Sequence, residues 1–179
     1  MRHRILSRLR RFSGDESGTS TVEFAFAFFI LFITAMSGVE QGMMTLKQTM
    51  LERGLDLAVR DLRLISGNEV QHADIKDRIC SYAGFIPDCE ETLRLEMKPT
   101  NLRSNYVEFT NSTDCIDRSE EVTPVRQFTN GGQNELMLLR ACVKIKPIFP
   151  GAGLGKQVMK DGNGEISIFS LSAFVNEPK

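Results

Sequence analysis

The stretch "ESGTSTVEFAFAFFILFITAMSGVEQG", residues 16–42, decides how the rest of the chain is read. Residues 24–39 carry no charge, and extended back to Thr19 the run covers 21 residues with Glu23 as its only ionisable side chain. About 20 such residues cross the hydrocarbon core of a bilayer as a helix. Phe24, Phe26, Phe28, Phe29 and Phe32 crowd the run, and residues 28–33 are large and apolar without a break. Glu23 is the anomaly. A charged side chain at the membrane centre costs about 2.5–3.5 kcal/mol on insertion scales, and less near a helix end.

The flanks give an orientation. Residues 1–18 hold Arg2, Arg4, Arg8, Arg10 and Arg11 against Asp15 and Glu16. Arginines ahead of an apolar run place that end in the cytoplasm and the remainder outside. The other 161 residues hold 17 Lys and Arg against 21 Asp and Glu. A basic tip on a mildly acidic body lacks the basic folded face that nucleic acid requires, so nucleic acid is not an expected partner. A charged content of 25% fits a folded chain rather than a disordered one.

Beyond the span, helical spacing continues. Met44, Leu51, Leu55, Ala58, Leu62 and Ile65 recur at intervals of four and three, with Gln48 in the one polar slot. Lys47, Glu52, Arg53, Asp56, Arg60 and Asp61 fall largely off that stripe, so the pattern is that of an amphipathic helix. One helix running from about Thr19 to Ile65 is expected, on the order of 70 Å long. Gly38, Gly42 and Gly54 are its candidate bend points. Gly67 ends it, Ser66 or Asn68 caps the next, and "EVQHADIKDRICSYAG" is a short helix stopping at Gly84.

The period then changes to two. "TLRLEM" sets Leu93, Leu95 and Met97 on one face, "NYVEFT" is a short strand, and "LMLLRACVKI" sets Met137, Leu139, Ala141, Val143 and Ile145 together. "EISIFSLSAFV" groups Phe169, Leu171, Ala173 and Val175. These are half-buried antiparallel strands. "NGG" at 130–132 reads as a hairpin turn. "KDGNGE" at 160–165 reads as a turn too, because Asp161, Asn163 and Glu165 lack the later ligands of a calcium loop. The expected fold class is α+β. Its segments are a basic leader (1–18), a transmembrane helix (19–39), an amphipathic extension (40–66) and an α+β head (67–179).

Four cysteines, Cys80, Cys89, Cys115 and Cys142, all lie beyond the span. With no C-x-x-C pair and two histidines, zinc is a poor reading, and an even count in an exported domain favours two disulfides. Three connectivities are open; nearest-neighbour pairing gives Cys80–Cys89 and Cys115–Cys142. His72 has no second histidine near it and reads as an exposed polar residue. No nucleophile–base set, phosphate loop or metal spacing is present in the sequence. The chain is expected to be non-catalytic, without metal or cofactor.

Three readings of Glu23 remain. It lies close enough to the cytoplasmic interface to reach water. Alternatively the run is a secretory signal, with Ala35 and Ser37 as the small residues before a cut after Ser37; its basic region is then long and ends in an acid, and the helical pattern runs through the cut. In the third reading Gly18 is the cleavage point, Thr19 becomes the first residue and Glu23 the fifth. Here "GTSTVEF", residues 18–24, resembles a type IV prepilin of the branch that carries Glu followed by an aromatic. "FSGDESGTSTVEFAF", the ending "SAFVNEPK" and the Cys80–Cys89 spacing together resemble the TadE-like pseudopilins of the tight-adherence (Tad/Flp) pilus system. The resemblance implies a pilin-like fold, a bacterial inner-membrane anchor and a periplasmic head. It implies cleavage between Gly18 and Thr19 by a prepilin peptidase, and an assembly role for Glu23 and Phe24. The implied partners are other pilins and pseudopilins, the pilus assembly platform and the lipid bilayer. The head is large beside major Flp pilins, which favours a minor pilin. The rival expectation is a membrane-tethered binding or sensor module with an uncleaved anchor and a ligand pocket in its head.

Overall fold

A computed structural model describes residues 19–64, 71–100, 115 and 128–176. Its first element, α1 (Thr19–Leu64), is one continuous helix of 46 residues, about 69 Å long. There follow α2 (His72–Ala83), α3 (Cys89–Thr92), β1 (Arg94–Thr100), β2 (Leu136–Ile145), α4 (Gly153–Gln157) and β3 (Ile166–Val175). The strands form one antiparallel sheet in the order β1-β2-β3. The fold is therefore α+β, and α1 is long and apolar enough to cross a membrane.

The core forms where the apolar stripe of α1 meets the head. Leu51, Leu55, Ala58 and Leu62 are buried against one cluster with Ile75 and Ile79 of α2 and Leu139, Ala141 and Val143 of β2. A stripe repeating every three to four residues stays on one side of a helix of 3.6 residues per turn, so a single face can be buried along its whole length. Ile65 lies outside the described residues. α1 runs unbroken through Gly38, Gly42 and Gly54, and Gly54 has a packing role. A methyl group there would stand 2.8 Å from the carbonyl oxygen of Ile79 and 3.1 Å from Cβ of Ala83, so its missing side chain lets α1 and α2 close on each other.

Several expected boundaries move. The residue ahead of α2 is Gln71, with no side-chain cap; Ser66 and Asn68 lie outside the described residues, as does "NYVEFT". Thr92 closes α3, so β1 begins two residues later. The "NGG" turn does not close a hairpin among the described residues. Phe128, just ahead of it, makes a parallel bridge to Met97, while β2 beyond it pairs with β1 and β3. The Gly132 amide donates to the Glu135 carboxylate at 2.7 Å, and the Asn176 side-chain amide donates to the carbonyls of Gly131 and Gly132.

The apolar set that the sequence groups on one side of β3 lies on its outer face. Phe169, Leu171 and Val175 are about half exposed, whereas Ser170 and Phe174 are buried. The register explains it. Phe174, Ser170 and Ile168 sit beside Met137, Ala141 and Val143, the buried row of β2, while Leu171 and Phe169 sit beside Arg140 and Cys142 on the far face.

That far face buries charge in pairs. Arg140 bonds Glu96, which also meets Lys98 at 2.8 Å, and Lys144 donates to Asp161 at 2.7 Å. Asp161 also accepts the amides of Asn163 and Glu165, which makes residues 160–165 a turn. Burial alone would raise the pKa of Asp161, but the bond from Lys144 and these amides together hold it below the usual carboxylate range. The stability this carboxylate supplies is therefore present above its ordinary pKa and is lost as pH falls through the depressed folded value. Cys80 is joined to Cys89 with Cα atoms 5.6 Å apart, and Cys115 to Cys142 at 5.3 Å. The first bond ties α2 to α3, and the second fixes Cys115 to the far face of β2.

Gly54 and Gly42 form a natural pair of tests, because nothing lies within 4 Å of a methyl group at Gly42. Gly42→Ala is expected to leave stability unchanged or raise it by up to about 1 kcal/mol through helix propensity. Gly54→Leu is expected to lower it by about 1–3 kcal/mol or more through overpacking. Urea unfolding of the full chain in detergent measures both; equal effects would contradict the close approach of α1 and α2.

Candidate functional site: a bare helix and the clamp at its outer end

Among the described residues, none covers the N-terminal part of α1. Residues 19–35 are exposed without exception, and Phe24 is 67% exposed. Phe24, Phe28 and Phe32 recur every four residues and stack as a ladder, with ring centroids 5.7 and 6.0 Å apart. A four-residue step returns to nearly the same face, so the ladder is a direct result of the sequence spacing. Thr19 opens the helix and Glu23 follows one turn later on the same face. Gly18 lies outside the described residues. An apolar surface of this extent marks a lipid or protein contact.

The head grips α1 where that bare surface ends. Glu40 is only 1% exposed, although it directly follows the uncharged run. Its carboxylate accepts the backbone amide of Ile148 at 3.0 Å and that of Phe149 at 2.7 Å. One turn earlier, Ser37 Oγ accepts the amide of Leu154 at 3.2 Å and donates to the Ile33 carbonyl at 2.9 Å. The connection between β2 and β3 is thus clamped on two side chains of one helix face, spaced three residues apart. Glycines allow the approach. A methyl group at Gly153, whose φ is +51°, would stand 2.5 Å from Ser37 Oγ, and one at Gly155 would stand 3.2 Å from Glu40 Oε2. Lys160 Nζ closes the loop on itself by donating to the carbonyls of Pro150 and Gly155.

In the sequence Ser37 figured only in the rival secretory-signal reading, and Glu40 only as the start of the amphipathic extension outside the membrane. The structure makes both of them anchors of the head. The legible signal was their three-residue spacing together with the glycines at 151, 153 and 155. The polar slot at Gln48 also has a partner: its side-chain amide donates to the Phe169 carbonyl at 2.8 Å, on the edge of β3. Between α1 and this edge lies an open groove of about 520 Å³ lined by Gln48, Glu52, Asp56 and residues 167–171. His72 is exposed, with its ring edge-on to Phe128, and burial together with Lys76 lowers its pKa. Among the described residues no group of three or more His, Cys, Asp or Glu is gathered about one point.

Removing the clamp should be measurable. Glu40→Ala leaves two inward-facing amides without their acceptor, at an expected cost of about 1–3 kcal/mol. Amide exchange at Ile148 and Phe149 should speed up while that of β2 stays slow; unchanged protection at 148 and 149 would show that the carboxylate does not hold the loop. Among protein-family models, curated proteins and solved structures, nothing matches this chain.

Proposed function

We propose that the chain is a non-catalytic minor pilin or pseudopilin of a Tad-type pilus system. On this reading α1 anchors it in the bacterial inner membrane with its N-terminus cytoplasmic and the head periplasmic, and a prepilin peptidase cuts after Gly18. The observation that carries the proposal is the bare N-terminal part of α1, exposed over residues 19–35, rich in phenylalanine and uncharged except for one acid in its second turn. Such a surface is suited first to lipid and then to a bundle of like helices.

Cleavage after Gly18 frees an α-amino group on Thr19. In a helix bundle the Thr19 ammonium of one subunit then meets the Glu23 carboxylate of a neighbour. Each charge alone is costly in apolar surroundings. Paired, they need not add stability on balance, but they favour one axial stagger over others, so the pair acts as a register device. Phe24 and the ladder above it supply the apolar contact around that pair. The secretory-signal alternative loses support from the clamp. A cut after Ser37 would leave Glu40 in the first turn of a frayed helix end and separate Ser37 from the loop it holds. The groove beside β3 would serve the rival sensor reading, but it is open to solvent and mixes two acids, Glu52 and Asp56, with Gln48 and the serines and apolar residues of β3.

Glu23→Ala and Glu23→Gln test the register role. Both variants are expected to be inserted and cleaved, since removing the charge eases insertion, yet to yield few surface pili at equal protein abundance. Pilus counts and co-purification of partner pseudopilins read the result. Normal assembly by Glu23→Ala would sink the register argument and leave Glu23 as an acid that merely reaches water.

A further inference from the structure

The head has a definite membrane-facing end if α1 is a membrane anchor, and this inference rests on that reading. β3 runs in the same direction as α1: Phe169 is bonded at Gln48, and Ser172 Oγ lies 3.5 Å from Asp56 farther along the helix. β2 is antiparallel to β3 and therefore descends toward the N-terminal part of α1. The chain between them, residues 146–165, sits at the lower end of the head.

How low it sits follows from its anchors. The loop is bonded to Glu40 and Ser37, and Gly153 approaches the Ile33 carbonyl, with a methyl group there falling 3.7 Å from it. Ile33 lies six residues inside the uncharged run that ends at Val39, about 9 Å along the axis. A bilayer that covers this run reaches the level of the loop. The loop's exposed side chains fit that depth. Ile148 is 44% exposed and Met159 is 93% exposed, while Lys146 and Lys156 are exposed cations on the same connection. Apolar tips beside lysines are the composition of a segment that lies in the headgroup region.

We propose that residues 146–160 form a foot on the outer leaflet of the bilayer that α1 crosses, with Ile148 and Met159 entering the boundary between headgroups and acyl chains and Lys156 and Lys146 lying among anionic headgroups. The clamp at Ser37 and Glu40 then holds the foot at a fixed height on the helix. Head and membrane are coupled in orientation, and withdrawal of the helix from lipid requires the foot to leave as well.

The chain contains no tryptophan, so single substitutions give unambiguous fluorescence probes. Ile148→Trp, Met159→Trp and Phe28→Trp are prepared separately in the full chain and reconstituted in phosphatidylethanolamine–phosphatidylglycerol bilayers carrying bromine at a shallow or a deep acyl position. At positions 148 and 159 the expected result is blue-shifted emission, lost mainly to shallow bromines; at position 28 it is lost mainly to deep ones. Met159 packs on almost nothing, so its substitution leaves the fold intact even if Ile148→Trp disturbs the clamp. The Lys146→Glu, Lys156→Glu pair in the Met159→Trp background should restore much of the lost emission. Quenching at 28 with water-like, unquenched emission at both 148 and 159 would overturn the foot while leaving the anchor intact. Absence of quenching at 28 would overturn the anchor, and the foot with it.

Discussion

The buried carboxylate of Glu40 is the contact on which the relation between helix and head depends. It lies at the point where α1 changes from apolar all round to amphipathic. Two backbone amides of the β2–β3 connection converge on it, and Ser37 holds a third one turn below. A carboxylate taken out of water needs hydrogen bonds to replace its hydration, and amides at the turn of a loop are donors that cannot rotate away. The result is a head that is fixed at one height on α1 and that does not rely on apolar packing alone.

Everything above that point is ordinary globular physics. The stripe of Leu51, Leu55, Ala58 and Leu62 closes the core, and Gly54 lets α2 approach. The far face of the sheet keeps its charges in pairs, Arg140 with Glu96 and Lys144 with Asp161. Below the Ser37 contact, residues 19–35 of the helix are exposed among the described residues. The proposed function is the use of that bare surface: lipid before assembly, neighbouring helices after it, with Glu23 selecting the stagger. One helix, unbroken from Thr19 to Leu64, joins the two parts.

The sequence made the long helix and its buried stripe legible because helical spacing is a local property, repeated many times over. It also made β2 legible, where Met137, Leu139, Ala141, Val143 and Ile145 recur at every second position with Arg140 and Lys144 between them. The face of β3 was not legible, since alternation says that two faces differ and not which one meets the core. Phe169, Leu171 and Val175 are the larger apolar set, yet the pairing of Phe174 with Met137 puts them outside. The clamp was not legible for a related reason. An acid at the end of an apolar run has the same local appearance whether it enters water or is met by a loop more than a hundred residues away.

The proposed roles of Thr19 and Glu23 both depend on where the mature chain begins. Intact mass and N-terminal sequencing of the protein extracted from its native membrane give the answer directly. The account requires a chain that starts at Thr19, with both disulfides closed and the whole of α1 retained. A chain starting at Gly38 would mean that the apolar run is a secretory signal, and an uncut chain starting at Met1 would leave Glu23 without the ammonium it is proposed to meet.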